Sequence, residues 1–421
     1  MASAPTALGG LGAAAEALLP DLVALRRRVH AEPELGLDLP RTQQAVLEAL
    51  DGLDLELATG GSTSAVVATL RGAGPGRTLL LRADMDALPL EEQTGLSFAS
   101  RRPGCMHACG HDAHLAMLVG AARILEARRG DLAGTVKLLF QPGEEGHGGA
   151  RILIEEGLLE SEPVVQAAFA IHVDPTLAAG VVATRPGPLM AATDVFAVEV
   201  RGRGGHASMP HHAVDPIPVA CEIVGALQSL VTRRTNAFDP VVLTVTKIEA
   251  GTTHNVIPET ARLLGTTRAV SEGARRAVRE GIERVAAGVC AAHDTEARVQ
   301  VFPGYPVTVN DADFAGFVSG VAAEVVGAER VARMKAPIMG AEDFSYILER
   351  VPGAMVFLGV RPAEGPAEPI HSNRMILDED AMATGAALHA AVALRYLGPG
   401  ADPAPASPSG SRQASVSQIT E

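Results

Sequence analysis

Gly104-Cys105-Met106-His107-Ala108-Cys109-Gly110-His111-Asp112-Ala113-His114 packs three histidines, two cysteines and one aspartate into eleven residues. Thiolate and imidazole are the ligands that borderline metals such as zinc prefer. Cys109 and His111 offer one of each, and Gly110 between them lets the backbone bend so that both can converge. Leu115, Leu118, Ala122 and Leu125 recur on one face of a helical repeat, so a helix is expected to begin near His111. The cluster then sits where a loop enters a helix. Two plainer readings stay open: buried polar residues, or a redox pair of Cys105 with Cys109.

Upstream, Leu11 to His30 and Arg41 to Leu50 read as helices, with a turn at Ala31 to Gly36. Val66 to Leu70 and Thr78 to Arg82 read as strands separated by the Gly/Pro turn Gly72 to Gly76. The second strand runs into Asp84 and Asp86, where an open α/β sheet places its chemistry, although an Asp-rich turn reads the same way.

Downstream, the buried-strand pattern Gly134 to Phe140 ends in Gln141-Pro142-Gly143-Glu144-Glu145. Neighbouring side chains on a turning backbone point apart. Glu145 can then hold a metal while Glu144 faces the attacking water as a general base, the division a metallohydrolase needs. Strand Ala167 to Val173 carries His172 near its end, as either a core histidine or a ligand. From Pro186 the character changes. Strand Asp194 to Val200, helix Asp215 to Arg233, strands Val241 to Glu249 and Ala261 to Arg268, helix Glu272 to Ala292 and strand Glu296 to Phe302 make an α+β unit of the split-βαβ type. Its glycine-rich loop, Gly202 to Gly205, lacks phosphate-loop spacing and precedes His206. Helix Asp313 to Val326, the segment Gly340-Ala341-Glu342-Asp343-Phe344, strand Ala354 to Val360, His371 and a last helix near Asp378 to Tyr396 return to α/β character.

The chain has 421 residues, enough for two domains. The expected division is an α/β/α catalytic domain in two parts, 1–186 and 302–397, an inserted ferredoxin-like α+β domain over 187–301, and a polar tail over 398–421 expected to be disordered. A net charge of −14 argues against nucleic acid or an anionic membrane as partner. Four cysteines make no disulfide framework, and neither a signal peptide nor a membrane-length apolar run is read. A cytoplasmic protein is expected.

Together Cys109, His111, Glu145, His172 and His371 are five ligand-type residues near strand ends. One catalytic zinc needs three protein ligands, so five suit a binuclear site. The chain resembles the aminoacylase-type metallopeptidase family, in the branch of hippurate hydrolase, N-acyl-amino-acid amidohydrolases and plant indole-acetyl-amino-acid hydrolases. The segments that carry the resemblance are Met106 to His114, Gln141 to Glu145, and Thr253-His254-Asn255-Val256-Ile257-Pro258.

The resemblance implies two divalent ions per chain, zinc or manganese with cobalt or nickel as further options, held by those five ligands. It implies Glu144 as general base and a lid domain that forms a homodimer, with His206 reaching the partner's site to help stabilise the oxyanion. It also implies Asn255 as a substrate contact and Arg268 as the contact for the substrate carboxylate. The activity implied is hydrolysis of N-acyl amino acids, with a dipeptidase or carboxypeptidase as the alternative. Gly143 stands where the family usually has alanine, and Ser372-Asn373-Arg374-Met375 departs from the usual residues after the last histidine, which bears on pocket shape.

Overall fold

The computed structural model describes residues 8–398. The tail expected to be disordered lies, from residue 399, outside the described residues. In chain order the helices are α1 (Leu11–Ala31), α2 (Pro40–Leu50), α3 (His111–Ala127), α4 (Gly149–Glu155), α5 (Pro216–Arg234), α6 (Glu272–Ala292), α7 (Ala312–Val326), α8 (Ser345–Leu348) and α9 (Ala381–Tyr396). The first strands are β1 (Glu56–Thr59), β2 (Val66–Arg71), β3 (Gly74–Asp84), β4 (Ala133–Gln141), β5 (Ala167–Ala178), β6 (Val182–Thr184), β7 (Gly187–Met190) and β8 (Ala192–Arg201). The later ones are β9 (Gly205–His206), β10 (Val241–Ala250), β11 (Val256–Ile257), β12 (Thr260–Ala269), β13 (Glu296–Pro303), β14 (Thr308–Asn310), β15 (Val331–Arg333) and β16 (Gly353–Arg361).

An eight-stranded sheet runs in the order β1-β2-β4-β3-β5-β16-β6-β15. Its centre, β4-β3-β5-β16, is parallel. Strands covered on both faces read as unbroken apolar runs, and alternate residues go to opposite sides. Leu79, Leu81, Leu138 and Phe169 join one core beneath α1, α3 and α9. Leu80, Leu139 and Ala168 join a second core with Leu153 of α4 and Ile347 of α8.

The chain leaves β3 through α3 for β4 on one side. It returns through α4 to β5 on the other. At such a switch point the loops beyond the carboxyl ends of the strands diverge and leave a crevice. Asp84 ends β3 and Gln141 ends β4 at this crevice, with His172 on the neighbouring β5.

A second, antiparallel sheet runs β10-β12-β8-β13. Numbered by appearance, its strands lie in the order second, third, first, fourth, the split-βαβ arrangement. Helices α5 and α6 cover one face with a core of their own that includes Phe196, Ile223, Leu227, Leu263 and Ile282. Both helices start on capping side chains: Asp215 accepts from Ile217 N ahead of Pro216, and Ser271 accepts from Ala274 N.

The short strands β1, β6, β7, β14 and β15 lack a sequence signal. The four residues of β1 are all exposed, so no apolar alternation marks it. Strand β3 begins inside the expected turn, because Gly74 pairs with Ala133 across an irregularity before Arg77.

Candidate metal centre

Helix α3 begins at His111, as the periodicity predicts. Gly110 before it has φ +84°, and a Cβ there would lie 2.4 Å from Val173 Cγ2. Only glycine meets both demands. The bend brings Cys109 Sγ to 3.4 Å from His172 Nε2 on β5.

Hydrogen bonding fixes which ring nitrogens are free. His111 Nδ1 lies 2.8 Å from the Asp86 carbonyl, and His172 Nδ1 lies 2.7 Å from the Val173 carbonyl. A carbonyl only accepts, so both Nδ1 atoms carry a proton, and in the neutral rings both Nε2 atoms offer a lone pair to a ligand. His114 is the opposite case. Val173 N donates to its Nε2 at 2.9 Å, and its Nδ1 faces Asp84 Oδ1 at 2.5 Å. With both nitrogens engaged, His114 buttresses the cluster.

The Glu144–Glu145 turn is held by Asp86, whose carboxylate accepts from the amide of Glu144 at 2.9 Å and of Glu145 at 3.0 Å. The two side chains then part. Glu145 Oε1 lies 3.9 Å from His111 Nε2 and 3.2 Å from His371 Nε2. Glu144 is buried, and its Oε1 accepts from Asp343 N at 3.3 Å. His371 reaches the cluster on a pinned backbone: its N–H donates to the Ala108 carbonyl at 2.7 Å, and its φ is +64°. That left-handed conformation costs a non-glycine residue roughly 1–3 kcal/mol, and it persists here because neighbours fix it.

Ligand atoms of Cys109, His111 and His172 lie within 4.8 Å of one another, as do those of Cys109, Glu145 and His371. The two triads share Cys109. Buried His111 Nε2 lacks a hydrogen-bond partner, a state that buried polar groups rarely tolerate, and Glu145 Oε1 meets the ring of His371 at 3.2 Å. A carboxylate, a thiol and three imidazoles converging in one crevice fit divalent cations.

The field points the same way. Burial alone would lower the pKa of His111, yet the carboxylates of Asp84, Asp86 and Glu145 push it up to about 10. Burial, reinforced by Glu145, Glu144 and Asp84, holds the Cys109 thiol well above its usual range. Burial, with Glu342, Glu145 and Asp343 nearby, likewise raises Glu144 well above an ordinary carboxylate, against the pull of Arg82. The carboxylate contribution common to the three shifts is a negative field that a bound cation would neutralise.

Beneath the turn lies a charged network that sequence reading left without a role. Arg82, 1% exposed, reaches Gln141 Oε1 at 3.0 Å, Asp84 Oδ2 at 2.7 Å, and Glu342 Oε1 and Asp343 Oδ1 at 2.9 Å each. Asp84 and Asp86 carried a strand-end signal. For Glu342 and Asp343, 197 residues or more from the Glu144–Glu145 turn in sequence, there was none beyond their adjacency.

The remaining candidates lie on the second sheet. His206 on β9 pairs with Val256 on β11, and Ala207 N donates to the Asn255 carbonyl at 3.1 Å. So His206 and Asn255 share one exposed ribbon. His206 Nδ1 accepts from Ser208 N at 3.1 Å and faces Ser208 Oγ at 2.8 Å. Among the described residues no hydrogen bond or ion pair joins His206 or Asn255 to the Cys109–His371 cluster. The glycines before His206 serve their own chain: a Cβ on Gly202 would lie 2.0 Å from the Val214 carbonyl. Arg268 is near the other end of β12 from that ribbon, half-buried against Thr193, Thr266 Oγ1 and the Thr267 carbonyl.

Residues 80–395 match the family model described as peptidase family M20/M25/M40. The chain is 38% identical over 380 residues to thermostable carboxypeptidase 1 of Saccharolobus solfataricus, covering 89% of this chain and 95% of that one. It is 38% identical over 377 residues to the N-acetylcysteine deacetylase of Bacillus subtilis, covering 89% and 97%. Among solved structures it superposes on the Bacillus subtilis YXEP protein, a dinuclear metal binding peptidase of the M20 family. The TM-score is 0.79 at 34% identity, with 90% of this chain and 98% of that one covered.

Proposed function

The chain belongs to peptidase family M20/M25/M40, and we propose on that premise that it is a metal-dependent amidohydrolase of N-acyl amino acids. The observation that carries the reading is the convergence of Cys109, His111, His172, Glu145 and His371 in two ligand triads beside a buried, differently directed Glu144. Cys109, His111, Glu145, His172 and His371 would hold two divalent cations, zinc or manganese. When bound, these supply Lewis acidity and an acidified water, with a pKa towards roughly 7 in the zinc precedent.

Glu144 takes the proton of the attacking water at its free carboxylate oxygen and returns it to the leaving nitrogen. Asp86 keeps base and ligand apart through their two amides. His206, from the second chain of a homodimer, donates to the oxyanion, and Asn255 beside it contacts the substrate. Arg268 is assigned the substrate carboxylate.

The second reading is a carboxypeptidase, favoured by the 38% identity to a relative of that name, or a dipeptidase. A panel of N-acetyl, N-benzoyl and indole-acetyl amino acids alongside dipeptides, assayed for released amine with each metal, separates the two. Turnover of dipeptides alone would replace the first reading with the second. No helix among the described residues is long and apolar enough to cross a membrane. We assign the protein to the cytoplasm.

A further inference from the structure

The two chain crossings between the sheets meet at one point. The ingoing chain enters the second sheet at Thr193 and Asp194, near the start of β8, and the outgoing chain leaves it at Gly304 and Tyr305, just after β13. Thr193 N donates to the Tyr305 carbonyl and Gly304 N to the Thr193 carbonyl, each at 3.0 Å. A Cβ on Gly304 would lie 2.6 Å from the Thr193 carbonyl, so this approach requires glycine.

A buried ion cluster of the second sheet clamps the same point. Asp194, 1% exposed, is gripped by Arg275 Nη2 at 2.8 Å and Arg279 Nη2 at 2.6 Å. Arg275 Nη2 also donates to the Gly304 carbonyl at 2.9 Å, and Gly304 N lies 3.2 Å from Asp194 Oδ1. Both arginines belong to α6, so the position of that helix is transmitted to residues 304 and 305.

From there Tyr305 reaches into the crevice. Its hydroxyl donates to the Glu144 carbonyl at 2.6 Å and accepts from Gly148 N at 3.1 Å. The Glu144 carbonyl also accepts from Gly146 N at 2.7 Å, within the same turn. Tyr305 thus braces the Glu144–Glu145 turn at both ends, from a backbone that belongs to the crossing.

We propose that Tyr305 is a positioning residue for Glu144, tying the placement of the base to the angle of the second sheet. The inference rests on reading Glu144 as the general base. Shifting the second sheet would move the Tyr305 hydroxyl and with it the turn, so the base is correctly placed only over a narrow range of that angle. Misplacement of a catalytic group by about 1 Å costs up to roughly 100-fold in rate.

The test is a double-mutant cycle on the full-length, metal-loaded protein, with an N-acyl amino acid that the wild type hydrolyses. Tyr305→Phe removes the hydroxyl and is expected to lower kcat roughly 10- to 100-fold while KM and metal content stay within about two-fold. Arg279→Ala loosens the clamp without touching Tyr305 or the turn, and is expected to lower kcat roughly three-fold. In the double variant the Arg279 effect should vanish, because the lever it moves is already cut.

Independent, multiplying losses would overturn the coupling, as would full kcat in Tyr305→Phe or a loss that tracks metal content. If Tyr305→Phe does not fold, Arg279→Ala decides alone: a kcat-selective loss supports the lever, and an unchanged kcat overturns it. Glu144→Gln in the same assay reports separately on the underlying reading. A fully active Glu144→Gln would remove the base itself, whatever Tyr305 does.

Discussion

The crevice of the parallel sheet and the His206–Asn255 ribbon of the second sheet hold their polar residues under opposite conditions. In the crevice almost every ligand-type side chain is fixed by neighbours: Asp86 sets His111 and both glutamates, Val173 sets His172 and His114, and Ala108 pins His371. Low dielectric strengthens each of those contacts and makes an unpaired group costly. The ribbon is exposed, and among the described residues the His206 ring bonds only to its neighbour Ser208. A group preorganised for catalysis is usually buried and braced. The difference is that the crevice is braced by its own chain, whereas the ribbon would be braced only if, as proposed, it meets a second chain.

The comparison breaks most completely by removing the cations. Chelation should abolish hydrolysis, and readdition of zinc or manganese should restore it, with up to two ions per chain found by metal analysis. Full activity in exhaustively chelated protein would leave the convergence of the five ligand-type side chains unexplained. Next in size is the division between adjacent glutamates. Glu144→Gln should lose about 10²- to 10⁴-fold in kcat yet keep its metal, since an amide cannot accept the water's proton. Glu145→Gln should instead lose metal. Equal metal loss in both variants would show that the parting of the two side chains has no functional meaning.

The ribbon is tested by complementation. His206→Ala and Glu144→Gln are each expected to be inactive as homodimers. In a mixed dimer, one site would receive intact Glu144 from one chain and intact His206 from the other. Random pairing of equal amounts gives about half heterodimers, each with one good site, so about a quarter of wild-type activity should return. Verified heterodimers without activity would place His206 in its own chain's chemistry or in none.

Where the sequence was legible, a local rule carried the information. The start of α3 follows from apolar spacing and from a glycine in a left-handed bend, and the split-βαβ order of the second sheet follows from its alternation of periods. The five ligand-type residues stand out because soft ligands are rare and cluster at strand ends. What stayed hidden is long-range. Nothing near Arg82 announces that Glu342 and Asp343 will neutralise it, and nothing near Tyr305 announces Glu144, because each pairing is made by topology. The tautomers that admit His111 and His172 as ligands and exclude His114 depend on single carbonyl and amide groups, which no side-chain pattern encodes.

The smallest expected effect sharpens the comparison within one segment. Cys105 and Cys109 are four residues apart, both buried and both free thiols. What distinguishes them is their surroundings. Cys109 faces His172 and Glu145 in the crevice. Cys105 lies outside every cluster of ligand-type groups among the described residues, and burial pushes its thiol up to about 11, so it stays protonated at neutral pH. A protonated, enclosed thiol acts as a small apolar side chain. Cys105→Ala should therefore leave kcat and metal content unchanged and cost about 1 kcal/mol of stability, read as a lower urea midpoint with the same m-value. Cys109→Ala, a change of equal size, should lose metal and activity together. Matching losses in the two variants would mean that Cys105 also serves the site, as a ligand or as the redox partner of Cys109.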